Sequence, residues 1–163
     1  MIVDALPDIP RWYTGLAEWA AVVTYVLIMR PRFTGPVRYV TLALALPALV
    51  GLQFFLGTLP IEFWVVGMLA AVGLMFGTIH LCSDTTVKDG GYLAARAFVL
   101  AELVASLQWQ LEVYYSQKFF DEDLGFALRV VLLVVVYAAG HGAAYLAERR
   151  NFPQRMRLGI DGR

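Results

Sequence analysis

Long apolar runs alternate along this chain with short polar connections, and the runs are too long to be strands. Five of them cover residues 12–29, 39–56, 64–82, 91–109 and 126–146. Each is close to the ~20 residues an α-helix needs to cross ~30 Å of hydrocarbon. The connections are too short to hold a soluble core. The pattern therefore predicts an all-α fold, a polytopic transmembrane bundle of about five helices over residues 1–148. A basic juxtamembrane tail over 149–163 follows it.

Composition agrees with this. Apolar residues make up 60% of the chain and its mean hydropathy is +0.64, above ordinary soluble domains. The partner this implies is the lipid bilayer, with the chain multi-pass in a cell (inner or plasma) membrane. No nucleic-acid partner is expected.

Formal net charge is zero, but the signs are segregated. Arg30, Arg32, Arg38, Lys88, Arg149, Arg150, Arg155, Arg157 and Arg163 follow the first, third and fifth runs. The other side has only Arg11 and Lys118 among Asp4, Asp8, Glu62, Asp121, Glu122 and Asp123. The positive-inside rule then puts the N-terminus outside and the C-terminus in the cytoplasm. A topology reporter fused after Arg163 should work only if it is a cytoplasmic type, and one placed at Lys118 should behave as external. The opposite labelling would reverse the orientation.

Local signals refine the runs. Asp4 and Asp8 stand where a signal peptide would be basic, so the first run is expected to be retained. Arg11-Trp12-Tyr13 reads as an interfacial anchor, Arg30-Pro31 as a helix stop, and Gly35-Pro36 as a tight turn. Pro47 should kink the second span. Ser83 or Asp84 should cap the next helix, with Gly90-Gly91 as a break. The segment 114–124, aromatic and then acidic, should be the longest external loop. Cys82 is the only cysteine, so no internal disulfide can form. Small residues predict the packing faces: Ala70, Gly73 and Gly77 on the third span, Ala94, Ala97, Ala101 and Ala105 on the fourth, Gly140 and Ala144 on the fifth.

Ionisable groups at membrane depth are costly, and they are the best functional pointers here. Glu18 and Arg129 lie about a turn and a half below the outer surface, where a salt bridge between them is allowed. Gln53 and Glu102 fall near mid-depth. His80, Arg96 and His141 fall near the inner surface, close to Asp84. Arg96 and Glu102 lie on opposite flanks of the alanine stripe, which makes the fourth helix central. Gln108 and Glu112 extend that stripe outward. These groups either lock helix register or form a polar layer that responds to a ligand.

Chemistry beyond this is thin. His80 and His141 could ligate a haem between spans, and His80, Cys82 and Asp84 resemble a metal cluster on paper. Residues two apart on a helix diverge by about 200°, so no metal and no cofactor is expected. HExxH, GxSxG and Walker motifs are missing, and no catalytic residue is assigned.

Two segments carry a family resemblance. They are Leu59-Pro-Ile-Glu-Phe-Trp-Val-Val-Gly-Met68 and the run from Gly91 to Leu111 containing Arg-Ala-Phe-Val-Leu-Ala-Glu-Leu-Val-Ala-Ser-Leu-Gln-Trp-Gln. Leu16-Ala-Glu-Trp19 and His80-Leu-Cys-Ser-Asp84 add to them. Together these resemble the N-terminal membrane region of bacterial GHKL-type sensor histidine kinases, a class that includes quorum-sensing peptide receptors. The resemblance implies a sensor bundle whose last helix hands a signal to a dimerisation helix and an ATP-binding domain. Residues 1–163 contain neither a phospho-accepting histidine after the last span nor the N-, G- or F-box for ATP.

The leading functional expectation is a sensory or regulatory membrane domain in a two-component system. It would take an extracellular peptide or small-molecule ligand, and could act as a homodimer. Its ligand and signal residues would be Glu18, Gln53, Arg96, Glu102, Gln108, Glu112 and Arg129. The alternative is a small transporter or substrate-binding transport subunit, with Gln53 and Glu102 as its site.

Overall fold

The computed structural model describes residues 9–33, 35–119 and 122–151, with side chains at all of these except 61, 116–119 and 122–124. Asp4, Asp8, Asp121, Arg155, Arg157 and Arg163 lie outside the described residues. Among those described, five α-helices and one 3-10 turn account for nearly all of the chain, and no strand is present.

Helix α1 (Arg11–Ile28) ends on an extended Met29, two residues before Pro31, which cannot continue a helix. Gly35, at φ 119°, then makes a turn that other residues rarely adopt, and Pro36 opens α2 (Pro36–Gly57). Pro47 sits within that helix, which continues past it. A 3-10 turn (Ile61–Phe63) leads into α3 (Trp64–Cys82). Next come α4 (Val87–Phe119) and α5 (Glu122–Asn151).

The last two helices are longer than the hydropathy runs predicted. Thr86, not Ser83 or Asp84, caps α4: its Oγ1 accepts from Asp89 N at 3.2 Å and donates to Asp89 Oδ2 at 2.8 Å. Gly90 and Gly91 consequently lie inside the first turns of α4 rather than breaking the chain. At the other end α4 runs through most of the expected external loop. Its 33 residues span about 50 Å, well beyond a hydrocarbon core of about 30 Å. Polar side chains such as Gln110 and Glu112 lowered the hydropathy there without lowering helix propensity.

Four helical segments are long and apolar enough to cross a membrane: Pro36–Gly57, Trp64–Cys82, Val87–Tyr115 and Gly125–Asn151. Helix α1, expected to be a fifth, is not among them. It is the interior element, packed against all four others. Tyr13, Ala17, Glu18, Ala21, Val22, Tyr25 and Val26 are all buried. Its neighbours are protein rather than lipid, so α1 tolerates buried Glu18, Tyr13 and Tyr25. The outer helices α2 and α5 bury few residues and are correspondingly apolar. The chemistry of each helix thus follows its position in the bundle.

Helix α4 packs on α1, α3 and α5, which fits its predicted central place. Its alanine stripe is the contact: Ala94, Ala97, Ala101 and Ala105 are fully buried, with Gln108 and Glu112 continuing the same face. The third-span stripe is a correction. Ala70 and Gly73 are exposed, and a Cβ at Gly73 or Gly77 would meet nothing within 4 Å. Helix α3 instead turns Gly67, Ala71, Met75 and Ile79 inward. Close helix approaches occur at other glycines. A Cβ on Gly15 would lie 2.8 Å from Val50 Cα, and one on Gly140 would lie 2.7 Å from Val104 Cγ2. Gly140 therefore makes its expected contact.

Candidate functional site

Most of the polar side chains at depth gather on α1, α4 and α5, in one cluster near each end of the bundle. At the end that the charge distribution places outside, the Tyr13 hydroxyl donates to Glu112 Oε2. Gln108 Nε2 donates to the same oxygen at 3.4 Å, and Arg129 Nε lies 3.8 Å from Glu112 Oε1. The Tyr137 hydroxyl donates to the backbone oxygen of Tyr13 at 2.6 Å, so α5 is tied to α1 as well. Trp109 packs beside Tyr13, with ring centroids 6.3 Å apart. Glu112 and Gln108 are buried, whereas the Arg129 side chain is half exposed. One carboxylate therefore receives donors from three helices, and one of these donors is accessible.

The inner cluster uses the same three helices. Arg96 of α4 forms an ion pair with Glu148 of α5, and Tyr25 of α1 is in hydrogen-bonding reach of both. Tyr92 Oη accepts from Arg96 Nη1 at 2.7 Å, and the guanidinium lies over the Tyr92 ring.

Between these levels Gln53 of α2 donates through Nε2 to Glu18 Oε1 at 2.6 Å. The Glu18–Arg129 bridge that depth allowed is not made, and two other pairings take its place. Glu18 faces α2 and is completely buried, while Arg129 reaches Glu112. Helix rotation decides this, and depth counting along single helices cannot supply it. Gln53 and Glu102 do not pair either. Glu102 sits half-buried on the flank of α4, near enough for its charge to act on Glu18.

The two histidines are separated, against the haem arrangement. His80, at the inner end of α3, stacks on Phe76 and lies 3.5 Å from the Arg32 guanidinium. His141 lies beside Tyr137, two turns further from the inner end than Glu148, and so is not near Asp84. Asp84 belongs instead to a clamp between the two inner connections. Pro31 and Ser83 form an antiparallel bridge, flanked by Asp84 N to Arg30 O at 2.9 Å and Arg32 N to Cys82 O at 3.2 Å. Among the described residues no group of three His, Cys, Asp or Glu could hold a metal ion.

Sequence reasoning found Arg96, Glu112, Gln108 and Glu18 but missed Tyr13, Tyr25, Tyr137 and Glu148 as partners. Glu148 lies just beyond the fifth apolar run, beside Arg149 and Arg150, and the bundle bound of 148 included it without giving it a partner. Its spacing of seven from His141 and eleven from Tyr137 puts all three on one helical face, which is the signal that would have found it. Comparison with protein-family models, curated proteins and solved structures finds nothing that matches this chain.

Proposed function

We propose that this chain is a membrane-embedded signal-input bundle, in which α1, α4 and α5 connect a ligand-accessible outer cluster to the inner end of α5. The observation that carries this reading is that the same three helices are joined by buried polar contacts at both ends. Such networks change state as units, because leaving one buried partner unsatisfied is costly. A cationic or hydrogen-bonding ligand group that captured Glu112 from Tyr13 and Arg129 would release α5 from α1 and α4 at the outer end. A rotation of α5 would then strain the Arg96–Glu148 pair, just before the helix reaches Arg149 and Arg150. The resemblance to the membrane regions of GHKL-type sensor kinases supports the same direction of signal flow.

The test is to attach a surrogate dimeric output domain after Arg163. Tyr13→Phe and Glu112→Gln are expected to change basal output several-fold relative to the parent. The lipid-facing substitution Leu69→Ala should leave it unchanged. Parental output from folded, membrane-inserted Tyr13→Phe and Glu112→Gln would reduce the outer cluster to scaffolding.

A further inference from the structure

Helices α1 and α2 touch most closely at Gly15, where a side chain would collide with the Val50 backbone. Glu18 and Gln53 each lie three residues beyond this contact, one on either helix. The helices are antiparallel and side chains lean towards their own helix N-terminus, so the two reach back across the contact and meet. The result is a carboxyl and a carboxamide 2.6 Å apart in a seam that excludes water.

Glu18 has no solvent exposure, and its Oε2 is buried without a hydrogen-bond partner. The groups that face it from the neighbouring helices supply no positive charge. Helix α2 offers the uncharged Gln53, and the inward face of α3 carries no ionisable group until Cys82 at its inner end. Helix α4 offers Glu102, a second acid. On α5 the buried His141 makes no hydrogen bond to Glu18, since neither of its ring nitrogens has a partner. The arginines of the bundle are engaged elsewhere, Arg129 at Glu112 and Arg96 at Glu148.

A bare carboxylate in such surroundings is strongly disfavoured, and a second carboxylate nearby makes it more so. A metal cation is a poor remedy, since Gln53 turns its N–H donor, not its oxygen, towards the site. A proton suits the geometry better. It occupies Oε2, where no other donor reaches, while Oε1 keeps the amide bond. The Gln53 N–H can donate to Oε1 in both states, since a carboxylate oxygen and an acid carbonyl oxygen both accept.

We propose that Glu18, held by Gln53, is a proton-binding site within the membrane, with Glu102 as the neighbouring carboxyl whose charge opposes release of the proton. Binding adds one proton to the carboxylate and makes or breaks no other covalent bond. When the proton leaves, α1 carries a charge that repels Glu102 on α4 and draws water or a cation into the α1–α2 seam. The bundle thereby responds to proton activity at a place separate from both end clusters. The proposal does not depend on the signal-input reading.

The experiment uses the full chain in lipid nanodiscs, labelled with 13C-glutamate and followed by infrared spectroscopy as pH is varied. At neutral pH a protonated-carboxyl C=O band that shifts with the label is expected. Glu18→Gln, a neutral isostere that preserves the fold, should remove it, while Glu112→Gln and Glu148→Gln should leave it. Gln53→Leu should move the same band to higher frequency, because the amide no longer bonds the carbonyl. A measurement on the unaltered chain does not rely on any variant folding. A hydrophobic carbodiimide, which reacts with buried protonated carboxyls, should modify Glu18 at neutral pH and lose reactivity as pH rises. Absence of the label-sensitive band at neutral pH, its survival in Glu18→Gln, or carbodiimide adducts only at other glutamates would overturn the proposal.

Discussion

Replacing Arg96 by methionine should destabilise the bundle by about 2–3 kcal/mol, the cost of leaving one member of a partly buried ion pair without its partner. The stranded group is Glu148, whose side chain is only 9% exposed, while that of Arg96 is 36% exposed. This asymmetry makes the two single replacements unequal. Without Glu148, Arg96 retains Tyr92 and can extend towards the inner interface, so Glu148→Met should cost less, about 1 kcal/mol. The double replacement should recover much of the loss, since two apolar side chains leave no charge to desolvate. Reversible unfolding in mixed micelles, arranged as a double-mutant cycle, measures the coupling directly. Additive losses would show that Arg96 and Glu148 do not meet.

The second large effect is steric. Gly15→Ala puts a methyl 2.8 Å from Val50 Cα and 3.1 Å from Val50 N, and backbone atoms cannot turn aside as a side chain can. Helices α1 and α2 must separate, at a cost of about 1–3 kcal/mol for overpacking. The separation also lengthens the Glu18–Gln53 hydrogen bond, which adds to the loss. Gly73→Ala provides the contrast, because nothing lies within 4 Å of the added methyl. Its stability should stay within about 1 kcal/mol of the parent, on the favourable side, through helix propensity alone. Equal losses at the two glycines would mean that the third-span stripe does pack against another helix.

The two predictions draw on different levels of information. Stretches of apolar residues bounded by Arg30-Pro31, Gly35-Pro36 or Ser83 mark the helices because backbone hydrogen bonds and desolvation act within each segment. The alanine stripe of α4 was legible for a related reason. It is a periodicity within one helix, and small residues at that spacing have one structural use in a membrane. The same argument failed for Ala70, Gly73 and Gly77. Small residues permit a close approach, but they do not compel a neighbour to make it.

By itself, then, the sequence determined that the chain forms apolar helices of membrane length, where most of them begin, and which ionisable residues lie at depth. Only the tertiary structure decided that α1, the one helix not among the four membrane-length apolar segments, is the interior one, and that Glu18 turns to Gln53 while Arg129 turns to Glu112. It also decided that Glu148, at the end of the expected bundle, pairs with Arg96. Depth along a helix is a local quantity, fixed by a rise of about 1.5 Å per residue. Partnership depends on how each helix is rotated against its neighbours, and that is set by the summed packing of faces on several helices at once.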